Sequence, residues 1–320
     1  MIVTVTPNPV LDRTLTVPRI VFNEVTRATT VQLDWGGKGF NVSRALQALG
    51  MESVAMGFVG GATGQTLERG LNDLGIATDF VYVAGETRTN VVVREADSER
   101  YIKVNEAGPT VQAEEVFAFF ERAIEKARPG DIWVLAGSLP PGVPAHFYAQ
   151  LIGLLRLHRA SVFLDSSGEP LRLGCAAAPY LVKPNAIEAT QVTRIEIRPL
   201  RSCRPQGSLE AAKHFLHQGI ELVALSLGAD GLLLASEEQA VWARPPAVVA
   251  RNPTGAGDAL LAGIIWASVR GMPLEEMARW GVAFGTVSAS RKGVGAGTRA
   301  EVEALYGQVQ TTCEPTDGGG

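Results

Sequence analysis

Short runs of β-branched and other apolar residues alternate with longer amphipathic stretches along most of this chain. Ser53 to Val59 reads as a strand followed by a helical pattern over Gln65 to Leu74, and Ile132 to Ala136, Ser161 to Asp165 and Leu222 to Ser226 read as further strands with helices between them. Such alternation predicts βαβ units, and therefore a mostly parallel sheet covered on both faces by helices. The clearest helix is Glu114 to Ala127, where Val116, Phe119, Phe120, Ala123, Ile124 and Ala127 recur at helical spacing and predict one buried face.

Two segments break this rhythm. Leu11 to Leu33 and Arg88 to Val104 are rich in Thr, Val and Arg, alternate apolar with polar residues and lack helical periodicity, so they predict strands of a small separate sheet. Ala96-Asp97-Ser98-Glu99 is a polar turn that makes Asn90 to Asn105 a hairpin. A small sheet beside an α/β core serves as a lid or a dimer contact, or is a plain surface hairpin. The expected organisation is one domain over residues 1–310, with the small sheet built from about 11–34 and 88–105, and a disordered tail over 311–320.

Composition narrows the class. With 46% hydrophobic and 19% charged residues in 320, the chain buries a substantial core and is not disordered. The apolar run Ala259 to Val269 is far shorter than the roughly 20 residues of a membrane span, and Met1-Ile2-Val3-Thr4-Val5 reads as a strand, not as a signal peptide. A soluble, cytoplasmic protein without a membrane partner is expected. Cys175, Cys203 and Cys313 have no metal-ligand spacing, and a net charge of -4 without basic blocks argues against nucleic acid as a partner.

The most informative segment is Asn252-Pro253-Thr254-Gly255-Ala256-Gly257-Asp258, which runs directly into the apolar helical stretch Ala259 to Trp266. Glycines just before a helix let several backbone N–H groups point at one spot, where the helix dipole also favours negative charge. Gly255, Ala256 and Gly257 therefore predict an anion hole, with Asp258 in the first helical turn facing the same anion. A carboxylate there repels phosphate unless it takes a proton, which points to general-base duty on an attacking hydroxyl. The plainer reading is that Asp258 complements the helix dipole. No GxxxxGK[ST] occurs, and Leu260 stands where GxGxxG needs its third glycine, which disfavours a P-loop or a simple dinucleotide fold.

With this loop and the earlier Gly36-Gly37-Lys38-Gly39-Phe40-Asn41-Val42-Ser43-Arg44-Ala45-Leu46 both in place, the chain resembles the phosphofructokinase B, or ribokinase-like, carbohydrate kinase family. The likeness runs from residue 1 to about 298. It is similar above all to the 1-phosphofructokinase and tagatose-6-phosphate kinase branch, through Thr6-Pro7-Asn8-Pro9-Val10-Leu11-Asp12, Thr87-Arg88-Thr89-Asn90-Val91, Ile102-Lys103-Val104-Asn105-Glu106 and Gly137-Ser138-Leu139-Pro140-Pro141-Gly142. The resemblance implies a three-layer α/β/α core with a small β lid, homodimers clasped through that lid, and transfer of a phosphoryl group from ATP to a ketohexose phosphate. Fructose 1-phosphate ranks first as acceptor, with tagatose 6-phosphate and fructose 6-phosphate as alternatives. A rival of another class is a catalytically silent sensor of sugar phosphate or nucleotide on the same scaffold.

The resemblance also implies roles. Asp12, Gly36, Gly37 and Asn41 would bind the sugar, with Lys38 beside them. Arg88 would grip the phosphate already on the sugar, since guanidinium offers a bidentate match, and Lys103, Ser138 and Arg27 would complete that clamp, Arg27 from a partner subunit. Lys183, Asn185 and Glu188 would organise the ATP phosphates and magnesium, Glu188 through water, a mode that suits a metal reluctant to lose its hydration. Ser226, Gly228, Gly231 and Thr254 would contact the nucleotide, with adenine near Ala283 to Ser290 and a monovalent cation near Gly293 to Gly297. Without the resemblance, Asn185 and Glu188 are an ordinary polar pair on a helix and the early glycines a tight turn. His214 and His217 read as surface residues, and Arg194 to Gly207 as a solvated insertion without chemistry.

Overall fold

The computed structural model describes residues 1–98, 100–198, 204–291, 295 and 297–316. In chain order the strands are β1 (Ile2–Thr6), β2 (Val10–Val17), β3 (Thr30–Gly36), β4 (Val54–Val59), β5 (Ala77–Thr78), β6 (Val81–Tyr82), β7 (Arg88–Glu95), β8 (Tyr101–Val104), β9 (Ile132–Ala136), β10 (Ser161–Asp165), β11 (Leu181–Val182), β12 (Leu222–Ser226), β13 (Leu232–Ala235), β14 (Gln239–Arg244) and β15 (Gln310–Pro315). The helices are α1 (Lys38–Ala48), α2 (Gly61–Asp73), α3 (Ala113–Lys126), α4 (Phe147–Leu157), α5 (Gly168–Ala176), α6 (Ala186–Thr193), α7 (Ser208–Leu216), α8 (Ala256–Val269), α9 (Leu274–Ser290) and α10 (Arg299–Tyr306).

Eleven strands form the large sheet, in the order β15-β14-β13-β12-β11-β10-β9-β1-β4-β5, with β6 also paired to β4. Every pair from β12 through to β5 is parallel, and β12 to β15 form an antiparallel edge. Side chains alternate between the faces with the strand period of two. Val3, Val5, Trp133, Leu135, Val162 and Leu164 join one buried cluster with Phe119, Phe147 and Leu151 of α3 and α4. Ile2, Val134, Ala136, Phe163 and Ala224 join another with Val42, Leu46, Leu261, Ile265 and Phe284 of α1, α8 and α9. This is the three-layer α/β/α arrangement that the alternation of elements predicts. Because the central strands are buried on both faces, they read as unbroken apolar runs.

The second sheet has four strands in the order β3-β2-β7-β8, and it stands apart from the first. The stretch from Leu11 to Leu33 proves to be two strands joined by an exposed loop over 18–29 that carries Phe22, Val25 and Arg27. α3 begins one residue before the predicted helix, at Ala113, and Val116, Phe119 and Ala123 are buried as its periodicity requires, whereas Ile124 is exposed.

Within the expected disordered tail, 311–315 are instead part of β15, which extends the antiparallel edge along β14. Backbone pairing to an edge strand needs no apolar pattern in the added strand, so the polar string Gln310-Thr311-Thr312 concealed it. The pairing is pinned from the side: Trp242 Nε1 donates to Glu314 at 2.7 Å, and Arg204, stacked over the Trp242 ring, forms an ion pair with Glu314 at 2.7 Å. Arg204 therefore clamps two strands and does not belong to a purely solvated insertion. Residues 199–203 and 317–320, which share those two expectations, lie outside the described residues.

Candidate active site

Parallel strands end together, and crevices open beyond their carboxyl ends. At that edge stand Thr6 closing β1, Asp165 closing β10, Lys183 just past β11 and Ser226 closing β12, together with the N-termini of α1 and α8. α1 and α8 lie side by side on one face of the sheet, in the same buried cluster, so the two glycine-bearing turns singled out in the sequence meet although more than two hundred residues separate them.

The turn before α8 has Gly255 as N-cap, with a left-handed φ of 83°. Asp258 lies in the first helical turn and is buried. Its Oδ2 accepts a hydrogen bond from Asn41 Nδ2 of α1 at 2.8 Å. Burial, reinforced by the negative Asp165, pushes the Asp258 carboxyl up to about 6, against Lys38, Asn41 and Lys183, which pull it down. Lys183 Nζ lies 3.4 Å from where a Cβ of Gly257 would stand, so the lysine reaches the exposed backbone of the turn. Thr254 N–H donates to Asn252 Oδ1 at 3.0 Å, which shapes the entry to the turn, and the Thr254 side chain is exposed.

Beneath Asp258 lies a residue that the sequence reading passed over. Asp165 is fully buried and pairs with Lys38 Nζ at 2.7 Å through Oδ1 and with Lys183 Nζ at 3.0 Å through Oδ2. Burial pushes its carboxyl up, and the charges of Lys183 and Lys38 outweigh that and hold it below the ordinary aspartate value. The same carboxylates hold the Lys38 ammonium above its ordinary value despite its own burial. Two carboxylates and two ammonium groups thus balance in one buried cluster. The one trace of Asp165 in the sequence is its place as the last residue of a predicted parallel strand, where crevices of such sheets open.

Asp12 sits in β2 and accepts from Asn90 Nδ2 of β7 at 2.9 Å. Burial lifts its carboxyl above the ordinary value, against the Asn90 hydrogen bond and the nearby Lys103 and Arg88 charges. Gly36 closes β3 directly opposite Val10, and a Cβ there would fall 2.3 Å from Asp12 Oδ2, so only glycine fits beside that carboxylate. Gly37 is the N-cap of α1 at φ 147°, and Lys38 is the first helical residue. Arg88 opens β7, with Nη1 donating to the Glu106 carbonyl and Nη2 to the Asn8 carbonyl, both at 3.2 Å. Both partners are neutral, and its charge stays without an ion pair among the described residues.

Lys103 lies on β8 opposite Val92, and by the pleat it shares the Asp12 and Asn90 face. Ser138 is exposed in the loop after β9, and the neighbouring Gly137 faces Lys38. Arg27, in the exposed loop over 18–29, is not brought to the site within one chain. Asn8, part of a string singled out in the sequence but given no role, contributes a buried Oδ1 without a partner.

The nucleotide side is less convergent. Asn185 and Glu188 form a reciprocal capping box on α6, Asn185 Oδ1 accepting from Glu188 N at 2.9 Å and Glu188 Oε2 accepting from Asn185 N at 2.8 Å. Ser226 N–H donates to the Pro184 carbonyl at 2.9 Å, which ties β12 to the Lys183–Asn185 turn. Gly228 begins a short 3₁₀ turn with open space around it. Gly231 instead faces the neighbouring strand, where a Cβ would meet the Ala243 carbonyl at 2.1 Å, so its smallness serves packing. Ala283 to Ser288 are buried within α9, and only Ala289 and Ser290 of that stretch approach the surface. Most of the loop Gly293 to Gly297 lies outside the described residues.

Buried polar atoms nearly always find partners in folded proteins. Among the described residues, Thr6 Oγ1, Asn8 Oδ1, Asn41 Oδ1, Arg88 Nε and Asn90 Oδ1 have none, and all five lie around this crevice. They are half of the ten buried side-chain atoms without a partner among the described residues, and those at the crevice are available to a polar ligand. No three His, Cys, Asp or Glu side chains converge as a metal site among the described residues.

Residues 8–301 match the model of the pfkB family of carbohydrate kinases. The chain belongs to that family. It is 35% identical to the 1-phosphofructokinase of Bacillus subtilis over 98% of its own length and 99% of the relative's. It is 28% identical to the tagatose-6-phosphate kinase of Staphylococcus epidermidis over 97% of this chain and 99% of that one. Among solved structures, phosphofructokinase-2 from Escherichia coli in complex with potassium superposes with a TM-score of 0.89 at 30% identity, covering 96% of this chain and 98% of that one. The family likeness extends over both sheets and the whole crevice between them, and it makes the chain a sugar-phosphate kinase.

Proposed function

We propose that the chain transfers the γ-phosphoryl group of ATP to the free primary hydroxyl of a ketohexose phosphate, most favourably fructose 1-phosphate, giving fructose 1,6-bisphosphate. The observation that carries this reading is the buried Asp258 at the N-terminus of α8, held by Asn41 from the acceptor side and faced by Lys183 from the donor side. A carboxyl lifted to about 6 is ionised at neutral pH and accepts a proton readily as the new bond forms. The transition state of phosphoryl transfer is loose, so placement of the hydroxyl matters more than basicity.

In this reading the sugar lies against Asp12, Asn90, Gly36, Gly37 and Asn41, where the unpartnered amide oxygens of Asn8, Asn41 and Asn90 supply acceptors for its hydroxyls. Arg88, whose guanidinium forms no ion pair among the described residues, takes the phosphate already on the sugar, with Lys103 and Ser138 beside it. Backbone N–H groups of Gly255 to Gly257 and the Lys183 ammonium stabilise charge on the group in flight. Magnesium, when bound with ATP, supplies charge neutralisation on the phosphate oxygens. Glu188 would hold it, through water, since its Oε2 already serves the helix cap. A monovalent cation near residues 293–297 rests on likeness to the potassium-bound neighbour alone.

The small sheet is the lid and also the dimer contact. Its polar face carries Asp12, Asn90 and Lys103. On the opposite face Val31, Leu15, Val93 and Ile102 stand in one row across all four strands. Val31 is 54% exposed, Leu33 44%, Ile102 38% and Val104 59%, an apolar patch that a second copy of the chain covers. No helix among the described residues is long and apolar enough to cross a membrane.

The test is ADP release by purified protein with MgATP and fructose 1-phosphate, tagatose 6-phosphate or fructose 6-phosphate, each beside Asp258→Asn. Turnover that prefers fructose 1-phosphate and is lost in the variant supports the proposal. Preference for another of the three reassigns the acceptor, and tight binding of both ligands without turnover makes the protein a sensor.

A further inference from the structure

Asp165 is fully buried, so its carboxylate is closed off from solvent. Its neighbours are nevertheless the two lysines that flank the path of transfer. Lys38 leads α1 from the acceptor loop, and Lys183 points at the Gly257 backbone in the anion turn. One carboxylate, one oxygen to each, fixes both ammonium groups at 2.7 and 3.0 Å. Without that anion, the buried Lys183 and the half-buried Lys38 would face each other as unpaired cations, and they would swing apart or the buried one would lose its proton.

We infer that Asp165 is a positioning residue for the proposed transfer: it holds Lys38 toward the acceptor and Lys183 toward the transferring phosphoryl group. The inference rests on the kinase reading above, and it concerns a residue that touches neither substrate. The charged and titratable groups facing this pair are Lys38 of α1, Lys183 after β11 and Tyr148 of α4, whose buried hydroxyl donates to the Gly137 carbonyl, with Glu188 of α6 acting on Lys38. Among these, the carboxylate of Asp165 is the group that raises Asp258, and the lysines lower it. Replacing it by a neutral isostere removes the raising influence and leaves the lowering ones.

The experiment is steady-state kinetics of Asp165→Asn across pH, beside wild type, Lys183→Met and the double variant. In Asp165→Asn, kcat falls roughly 100-fold or more, as for loss of a preorganised charge-stabilising donor, with the sugar-phosphate KM within about threefold. The acid limb of kcat/KM, expected at about 6 in wild type, moves down by about one pH unit or more. A purely structural defect would lower kcat without moving the limb. Because Asp165 acts through Lys183, the loss in the double variant is far smaller than the product of the single losses.

Should Asp165→Asn not fold, Asp165→Glu carries the same test: it retains the charge one methylene further out, so kcat falls while the limb stays in place. A limb unmoved in Asp165→Asn, a kcat within about threefold of wild type in either variant, or multiplicative losses in the double variant overturns the inference. Wild-type turnover that vanishes in Asp258→Asn separates these outcomes from failure of the kinase reading itself, which shows as no wild-type turnover.

Discussion

The large and small sheets border the same crevice but are finished in opposite ways. The large sheet is buried on both faces, and its strands deliver charged groups only at their ends, as Asp165 and Lys183 show. The small sheet delivers polar groups from its middle, Asp12 and Asn90 side by side, because one of its faces is kept away from the core. Ends of a rigid, doubly covered sheet fix atoms closely, which phosphoryl transfer demands. A sheet with one face on the ligand can close and open over it, which acceptor binding demands. The comparison predicts that damage at strand ends of the large sheet appears in kcat, and damage on the small sheet in acceptor binding and assembly.

The largest effect is expected for Asp258→Asn. Loss of the base lowers kcat roughly 1,000-fold or more with little change in either KM. The same change should stabilise the fold at neutral pH. The folded carboxyl is raised from 3.8 to about 6, so the native chain holds a proton that the unfolded chain releases. The stability this proton contributes is complete below about pH 4 and is lost as pH rises through about 6. Thermal melts should show the variant above wild type past pH 6, by on the order of 3 kcal/mol, with the gap closing toward pH 4. A gap that is independent of pH would mean that burial of Asp258 is not what raises it.

Arg88→Ala tests the other half of the comparison. Two charged hydrogen bonds to the sugar's phosphate are worth about 3 kcal/mol, so kcat/KM for the sugar phosphate should fall roughly 100-fold while ATP affinity stays within about threefold. Equal damage to both substrates would remove the phosphate clamp from the small sheet.

What could be read in advance follows the same division. Strands β9, β10 and β12 were legible to the residue, because burial on both faces leaves unbroken apolar runs between polar turns. The Gly255 to Asp258 turn was legible because backbone exposure requires glycine, and glycine before an apolar helix has few other uses. Asp165 was not, since a lone Asp at a strand end looks like a boundary, and its importance comes from Lys38 and Lys183, which are distant in sequence and adjacent only in the fold. β15 was hidden for a related reason: its partner is backbone, and backbone leaves no pattern. The meeting of Asn41 with Asp258 is likewise a property of helix packing and not of either motif alone.

The exposed face of the small sheet gives a third, smaller effect. Ile102→Asp or Val31→Lys places a charge in the apolar row, and the dimer should dissociate in sedimentation at micromolar concentration while the monomer remains folded, because neither side chain enters the core. An unchanged sedimentation coefficient would leave that face to some other partner.

The smallest effects separate the structural from the chemical reading of the Asn185–Glu188 pair. As a capping box, the pair satisfies two N–H groups of α6 that have no other partner in the helix, and Asn185→Ala should cost about 1 kcal/mol in stability. Glu188→Gln keeps an oxygen at the N3 position that a capping box accepts, so the melting temperature should hardly move. The charge is gone, however, and a residue that steadies a hydrated magnesium needs it. With the cap intact, a several-fold rise in the magnesium concentration needed for half-maximal rate would assign Glu188 to the donor side. A magnesium dependence identical to wild type would leave the pair as the local stop-piece of a helix, and would move the organisation of the ATP phosphates to Lys183 and the backbone of the Gly255 turn.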